Sequence, residues 1–349
     1  MKISKLIINS EKNIQDALVM LNKISLADDI SRLILFVESK NKIIGSITDG
    51  DIRRYLVVNT DLNTKVKDIC NKNFAFERES SDYINFKKYA DKNLKIIPVL
   101  NQDDSLSRVI DINKQISQLP LTAVIMAGGR GKRLSPLTDN IPKPMLKINN
   151  MPIIEYNINL LRYYGIKNVF ISVGYLGQII KDYFKDGSKF GLEINYIEEK
   201  FPMGTAGSLK HLPKIKNQTI LLMNADLITN INLQSMYLNM KDQNADFISA
   251  STDFKIDVPF GIFETDDNSV ITELIEKPSY IYNSNAGIYI MRSSFVNLIP
   301  DSQFYNITDL ISKMIKNCCK VLNYKIKGYW IDIGTPDEFK AAEQFMKSN

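Results

Sequence analysis

The sequence predicts an α/β protein built on a mostly parallel sheet, and three observations carry that reading. From Leu121 onward, apolar runs of strand length alternate with segments whose apolar residues recur at helical spacing. The first run, Leu121–Met126, is apolar apart from Thr122 and looks like a strand buried on both faces. Ahead of a break near Gln115–Pro120 lie two shorter segments of similar plan, so a smaller, internally duplicated part precedes the main one. With 349 residues, 44% of them hydrophobic, the chain can bury two cores. The expected domains are residues 1–118 and 119–349.

In the first part, Ile14–Leu21 reads as a helix, Arg32–Val37 and Lys42–Ser46 as strands, and a helix starts at Asp49–Asp51. The second segment repeats that order with a helix over Tyr83–Tyr89, a strand Lys95–Leu100, and Leu106–Ile110 ahead of Asp111. In the main part, Pro152 suits the first turn of a helix Ile153–Tyr164, in which Ile154, Ile158 and Leu161 share a face and which Gly165 stops. Strand Asn168–Val173, helix Leu176–Phe184, strand Glu193–Ile197, helix Thr205–His211 and strand Thr219–Met223 follow. From Phe247 to Met291 the pattern turns strand-rich, as if antiparallel strands added a lid, and a helix Pro336–Met346 closes the chain.

Composition narrows the chemistry. The net charge of +5 is small against 44 basic and 39 acidic residues, and no basic run is interleaved with aromatics, which argues against nucleic-acid binding. Cys70, Cys318 and Cys319 form no CxxC pair and read as reduced thiols. His211 is the single histidine, so catalytic triads and histidine-rich zinc sites lack material. Any chemistry must rest on carboxylates, Lys, Arg and a hard cation. The start has no apolar leader and no stretch has the length of a membrane span, so the protein is expected in the cytoplasm.

The densest signal is Met126-Ala-Gly-Gly-Arg-Gly-Lys-Arg-Leu-Ser-Pro-Leu-Thr138, followed by Pro142-Lys-Pro-Met145. Gly128, Gly129 and Gly131 let the backbone bring its N–H groups to an anion, and Arg130, Lys132 and Arg133 add positive charge. It is neither a P-loop, since Arg133 follows Lys132, nor a G-x-G-x-x-G dinucleotide loop. Asp226 ends an apolar strand and Asp332 lies between Ile331 and Ile333; carboxylates at strand ends in such a sheet face the ligand crevice.

The string GGRGKRLSPLTDNIPKPML resembles the signature of sugar-phosphate nucleotidyltransferases. Gly204-Thr-Ala-Gly207, Asn224-Ala-Asp226, Glu276-Lys-Pro278 and Asp332-Ile-Gly-Thr-Pro336 follow in that family's order, with Ala225 where a Gly commonly stands. The resemblance implies a Rossmann-like nucleotidyltransferase fold and in-line attack by a sugar-phosphate oxygen on the α-phosphorus of a nucleoside triphosphate. It gives Asp226 and Asp332 to Mg²⁺, Arg133 to the leaving pyrophosphate, Lys143 to the nucleotide phosphates and Lys277 to the sugar phosphate. Glu276, Gly261 and Asn285 fall around the sugar, and Ala127, Gly128, Gly129, Gly131, Gly204 and Thr205 around the nucleotide. The Gly204–Gly207 loop resembles that of many guanylyltransferases. Glu198 or Glu199 before it offers a carboxylate to guanine N1–H and its amine, or simply ends a strand as an exposed acidic pair.

Gly45-Ser-Ile-Thr-Asp-Gly-Asp-Ile-Arg-Arg54 resembles the nucleotide-binding stretch of a CBS domain, which implies a tandem CBS pair over residues 1–118. There Thr48 and Asp51 would meet a ribose and Arg53 or Arg54 its phosphates, as in an adenine-nucleotide site; the alternative is a pair that serves only to join copies of the chain. In the second segment Arg108 takes the place of Thr48 and Asp111 that of Asp51. This fused architecture resembles the glucosamine-1-phosphate guanylyltransferases of legionaminic acid biosynthesis, which implies GTP and glucosamine 1-phosphate as substrates and a homo-oligomer. Mannose, heptose and glucose 1-phosphates stay open, as does a catalytically inactive nucleotide sensor.

Overall fold

In the computed structural model, residues 3–27, 33–79, 84–90, 92, 94–215 and 218–348 are described, and the chain divides into two compact units, Met1–Leu119 and Pro120–Asn349.

The first unit holds two three-stranded sheets of one plan. In the first sheet, Ile7–Asn9 runs parallel to Ile34–Ser39, which pairs antiparallel with Lys42–Thr48. In the second, Glu77–Arg78 runs parallel to Ile96–Leu100, which pairs antiparallel with Leu106–Asp111. Even the register irregularity falls at the same place, between Val37 and Glu38 in one copy and between Val99 and Leu100 in the other. That register corrects the equivalence drawn from sequence. Thr48 faces Ile34 and Asp111 faces Ile96, so Asp111 stands where Thr48 stands, while Arg108, opposite Val99, matches Gly45, opposite Val37.

The helix of Ile14–Leu21 extends to Ala27 because Ala17, Leu21 and Ile24 keep burying the same stripe. Helix Asp49–Val58 is launched by a capping box in which Thr48 accepts from the Asp51 amide and Asp51 accepts from the Thr48 amide (2.8 Å). No such helix follows Asp111; the chain makes one turn onto its carbonyl and enters a short strand, Ser117–Gln118, paired with Ile84–Asn85. Of the helix expected over Tyr83–Tyr89 only Lys87–Ala90 is helical; Tyr83, like Arg32 of the expected strand, lies outside the described residues.

The second unit is a seven-stranded sheet. Its order is Glu193–Glu198, Asn168–Val173, Thr122–Ala127, Thr219–Asn224, Ser279–Arg292, Phe247–Asp257 and Val321–Lys325. Only Ser279–Arg292 runs against its neighbours. Thr122–Ala127 is central and wholly apolar or small on its buried faces, as read from the sequence. The chain leaves it to one side through two strands and returns on the other at Thr219–Asn224. This strand-order reversal opens a crevice beyond the carboxyl ends of both strands.

Helix Ile153–Tyr163 buries Ile154, Ile158 and Leu161 as its spacing predicts. The expected helix Thr205–His211 is a short 3-10 turn, Gly207–His211. Phe247–Asp257 and Ser279–Arg292 are not a separate lid: their inner halves are core strands of the sheet, and only their outer halves project as a two-stranded ribbon tipped by the hairpin of Ile262–Thr265 and Ile271–Ile275. Two helices unforeseen in the sequence reading, Leu233–Asp242 and Ile307–Lys316, cover the sheet; Ile307, Leu310 and Met314 bury one stripe. Among the described residues no helix is long and apolar enough to cross a membrane.

Candidate active site

The crevice holds a cavity of about 330 Å³ whose walls include Ala127, Gly129, Gly131, Lys132, Arg133, Lys143, Asp226 and Gly334. Four chain segments make it: the loop after Thr122–Ala127, the turn Lys143–Met145, the loop after Thr219–Asn224, and the loop at Gly334. Gly131 is required by geometry. It sits at φ +65°, and a Cβ there would lie 2.9 Å from Lys143 Cβ.

Lys143 is buried and its ammonium donates to Asp226 Oδ2. The other oxygen, Asp226 Oδ1, is buried with no hydrogen-bond partner. Asp332 is brought beside it by strand pairing, since Trp330–Asp332 runs antiparallel to Leu227–Thr229 with Asp332 opposite Leu227, and the Ile333 amide donates to the Asp226 carbonyl (3.2 Å). Burial, reinforced by the negative charge of Asp226, pushes the Asp332 carboxyl above the usual aspartate range, while Lys143 and Arg133 pull the other way. An unpartnered buried carboxylate oxygen next to a second, disfavoured carboxylate is what a hard divalent cation would relieve. Among the described residues no group of three or more His, Cys, Asp or Glu could cage a metal, so its remaining ligands would come from substrate phosphates and water.

The raised Asp332 also makes a stability prediction. In metal-free protein its contribution is fully present below the ordinary aspartate value and is lost as pH rises through the raised one. Asp332→Asn should therefore raise the melting temperature near neutral pH. The gain should vanish on acidification below about pH 4. Thermal scans at both pH values without metal check this; an unchanged or lower melting temperature at neutral pH contradicts it.

Glu199, rather than Glu198, faces the loop. Its carboxylate accepts from the Ser172 hydroxyl (2.6 Å) and the Met203 amide (3.3 Å) and lies so close to Gly128 that a Cβ there would be 2.4 Å from it. Glu198 is an exposed partner of Lys181, which holds its carboxyl below the usual range. Gly204, at φ +72°, packs on the Tyr305 carbonyl, and the Thr205 hydroxyl accepts from the Ile307 amide (2.9 Å), so it caps the start of helix Ile307–Lys316.

The four sugar-side residues do not line the cavity. Gly261 and Glu276 meet on the outer ribbon, where a Cβ on Gly261 would be 3.0 Å from Glu276 Oε2, and Lys277 is exposed beside them at φ +45°. Asn285 Oδ1 accepts from the Gly287 amide (3.0 Å) and the Tyr289 hydroxyl (2.8 Å). In the first unit, the Thr48 hydroxyl donates to Asp51 (2.6 Å) across the helix cap, and Arg53 pairs with Asp49.

Sequence reasoning passed over Glu338, which accepts from the Gly334 amide (2.8 Å) and the Thr335 hydroxyl (3.0 Å) and so fixes the loop that carries Asp332. The Thr-x-x-Glu spacing of a capping box was its available signal.

Residues 122–349 match the family model described as nucleotidyl transferase. The chain is 28% identical over 222 residues to the mannose-1-phosphate guanylyltransferase of Mycobacterium tuberculosis, covering 62% of this chain and 62% of that one. It is 29% identical over 241 residues to the UTP–glucose-1-phosphate uridylyltransferase of a Synechocystis strain, with 63% and 62% covered. Against the D-glycero-α-D-manno-heptose 1-phosphate guanylyltransferase of Aneurinibacillus thermoaerophilus it is 30% identical over 230 residues, with 65% of this chain and 99% of that one covered. The chain thus spans under two thirds of the first two relatives and nearly all of the third.

Proposed function

This chain belongs to the nucleotidyl transferase family, and on that premise we propose that it joins a nucleoside triphosphate to a sugar 1-phosphate, releasing pyrophosphate. The observation that carries the reading is the buried, unpartnered Oδ1 of Asp226 in a cavity walled by a glycine loop, Lys132, Arg133 and Lys143. Such a cavity suits a triphosphate with its cation.

Asp226 and Asp332 would hold Mg²⁺, which supplies charge neutralisation at the phosphates undergoing transfer. The amides of Gly128, Gly129 and Gly131 orient the triphosphate, and Lys143, which would exchange Asp226 for a phosphate oxygen once the cation binds, compensates charge at the reacting phosphorus. Arg133 stabilises the departing pyrophosphate. No residue needs to move a proton, which accords with a chain holding one histidine. Lys277 and Glu276 on the ribbon would receive the sugar phosphate and sugar hydroxyls.

GTP is the preferred nucleotide in this reading. Glu199 stands at the mouth of the loop and its carboxylate, carrying two donors, keeps acceptor sites for guanine N1–H and the exocyclic amine. Two of the three relatives are named as guanylyltransferases. Glucosamine 1-phosphate is the sugar proposed from the fused architecture, and the relatives' mannose, glucose and heptose phosphates are the competitors. For the first unit, we propose a CBS-type pair that joins copies of the chain and takes an adenine nucleotide at Thr48, Asp51 and Arg53. Only the first copy carries the capped helix such a site uses.

A pyrophosphate-release screen of GTP, UTP, CTP, dTTP and ATP against a panel of sugar 1-phosphates tests the reading. GDP-glucosamine from GTP and glucosamine 1-phosphate is the expected product. Turnover of another pair overturns the specificity, and silence across the panel overturns the activity.

A further inference from the structure

We propose that Tyr175 is a positioning residue for the phosphate loop, gripping it at Gly128, Arg130 and Asp139; the inference rests on the nucleotide reading of that loop. Strands Asn168–Val173 and Thr122–Ala127 lie side by side with Val173 opposite Ala127, so the residues just beyond their ends must meet. The contact is close: a Cβ on Gly174 would lie 2.8 Å from the Gly128 carbonyl, and the Tyr175 amide donates to that same oxygen (3.3 Å). Two residues further on, the Arg130 guanidinium sits over the Tyr175 ring, 5.2 Å from its centroid. At the far end, the Tyr175 hydroxyl donates to the Asp139 carbonyl (2.7 Å), and Asp139 in turn accepts from the Ser135 hydroxyl (2.9 Å).

One residue just beyond the neighbouring strand therefore spans residues 128–139. The consequence is a sorting of the loop's basic side chains. Arg130 docks on the ring and is not part of the cavity wall, whereas Lys132 and Arg133 are. A glycine-rich loop has many backbone states, and only those with its amides converging bind an anion well. Tyr175 restricts the loop to such states before the ligand arrives, so its contribution belongs to nucleotide binding more than to the chemical step.

The test uses the full chain, with calorimetric titration of inorganic pyrophosphate and GTP alongside kcat and KM. Tyr175→Leu should weaken both ligands and raise the nucleotide KM by about tenfold, with kcat changed far less. Tyr175→Phe keeps the ring over Arg130 and loses only the hydroxyl contact, so it should fall between wild type and Tyr175→Leu. In an Arg130→Gln background, Tyr175→Leu should cost distinctly less than it does alone. Wild-type affinity and KM in Tyr175→Leu, or a loss of kcat and melting temperature with KM unchanged, overturns the proposal alone. Wild-type protein that binds neither pyrophosphate nor any nucleotide overturns the functional reading and the proposal with it.

Discussion

Asp226→Asn is expected to lower turnover by on the order of a thousandfold, about 4 kcal/mol of barrier, because the substitution removes half of the carboxylate pair that the cation needs. Asp332→Asn should do the same to activity, yet the two variants should part company in stability. Asp226 is the ion partner of buried Lys143, so its neutralisation leaves an ammonium with a weakened partner in a poorly hydrated place. Asp332 is the member of the pair whose charge is disfavoured, so its neutralisation relieves the metal-free protein. Steady-state rates with saturating Mg²⁺, paired with metal-free thermal scans near neutral pH, read both effects. Equal rates to wild type in either variant would remove the metal assignment, and stability changes of the same sign would remove the electrostatic account.

The second large effect is expected from Lys143→Met, which keeps length and apolar volume but deletes the charge. A loss of about a hundredfold in kcat/KM is the size of one preorganised charged donor at a reacting phosphorus. The same substitution leaves both oxygens of Asp226 without a partner, so the metal-free protein should also be destabilised. Added Mg²⁺ should restore part of that stability, since the cation takes the place the ammonium held. A variant with unimpaired kcat/KM would show that Lys143 serves the fold and not the phosphates.

The sequence made the sheet legible where strands are buried on both faces. Thr122–Ala127 and Asn168–Val173 are predominantly apolar runs, interrupted only by Thr122, Asn168 and Ser172. It was less informative where one segment is borrowed by another. Thr205–His211 reads as a helix, but Gly204 and Thr205 are used to seat Tyr305–Ile307, which leaves only a 3-10 turn. Conversely, Asn306 and Asp309 spell a capping box for helix Ile307–Lys316, a signal present in the sequence and not used.

The site divides in the same way. Glycines and basic residues of the loop are local and legible. The meeting of Lys143 with Asp226 is a contact between residues 83 apart, set by the crossover of the sheet, and no local pattern announces it. The in-facing choice of Glu199 over Glu198 follows from strand alternation, once the register of Glu193–Glu198 against Asn168–Val173 is known. The second repeat of the first unit shows the opposite hazard. Matching Asp111 to Asp51 by residue type misplaces it by three positions, because backbone register and not side-chain identity defines the equivalence.

The most direct test of the central claim follows the phosphorus. GTP labelled at either the α or the γ phosphorus would be incubated with Mg²⁺, the full chain and a mixture of sugar 1-phosphates. Attack at the α-phosphorus predicts α label in a phosphatase-resistant sugar nucleotide and γ label in pyrophosphate, with neither formed when the sugar phosphates are left out. Label from the γ-phosphorus appearing as orthophosphate, with no labelled sugar nucleotide from the α-phosphorus, would contradict the account.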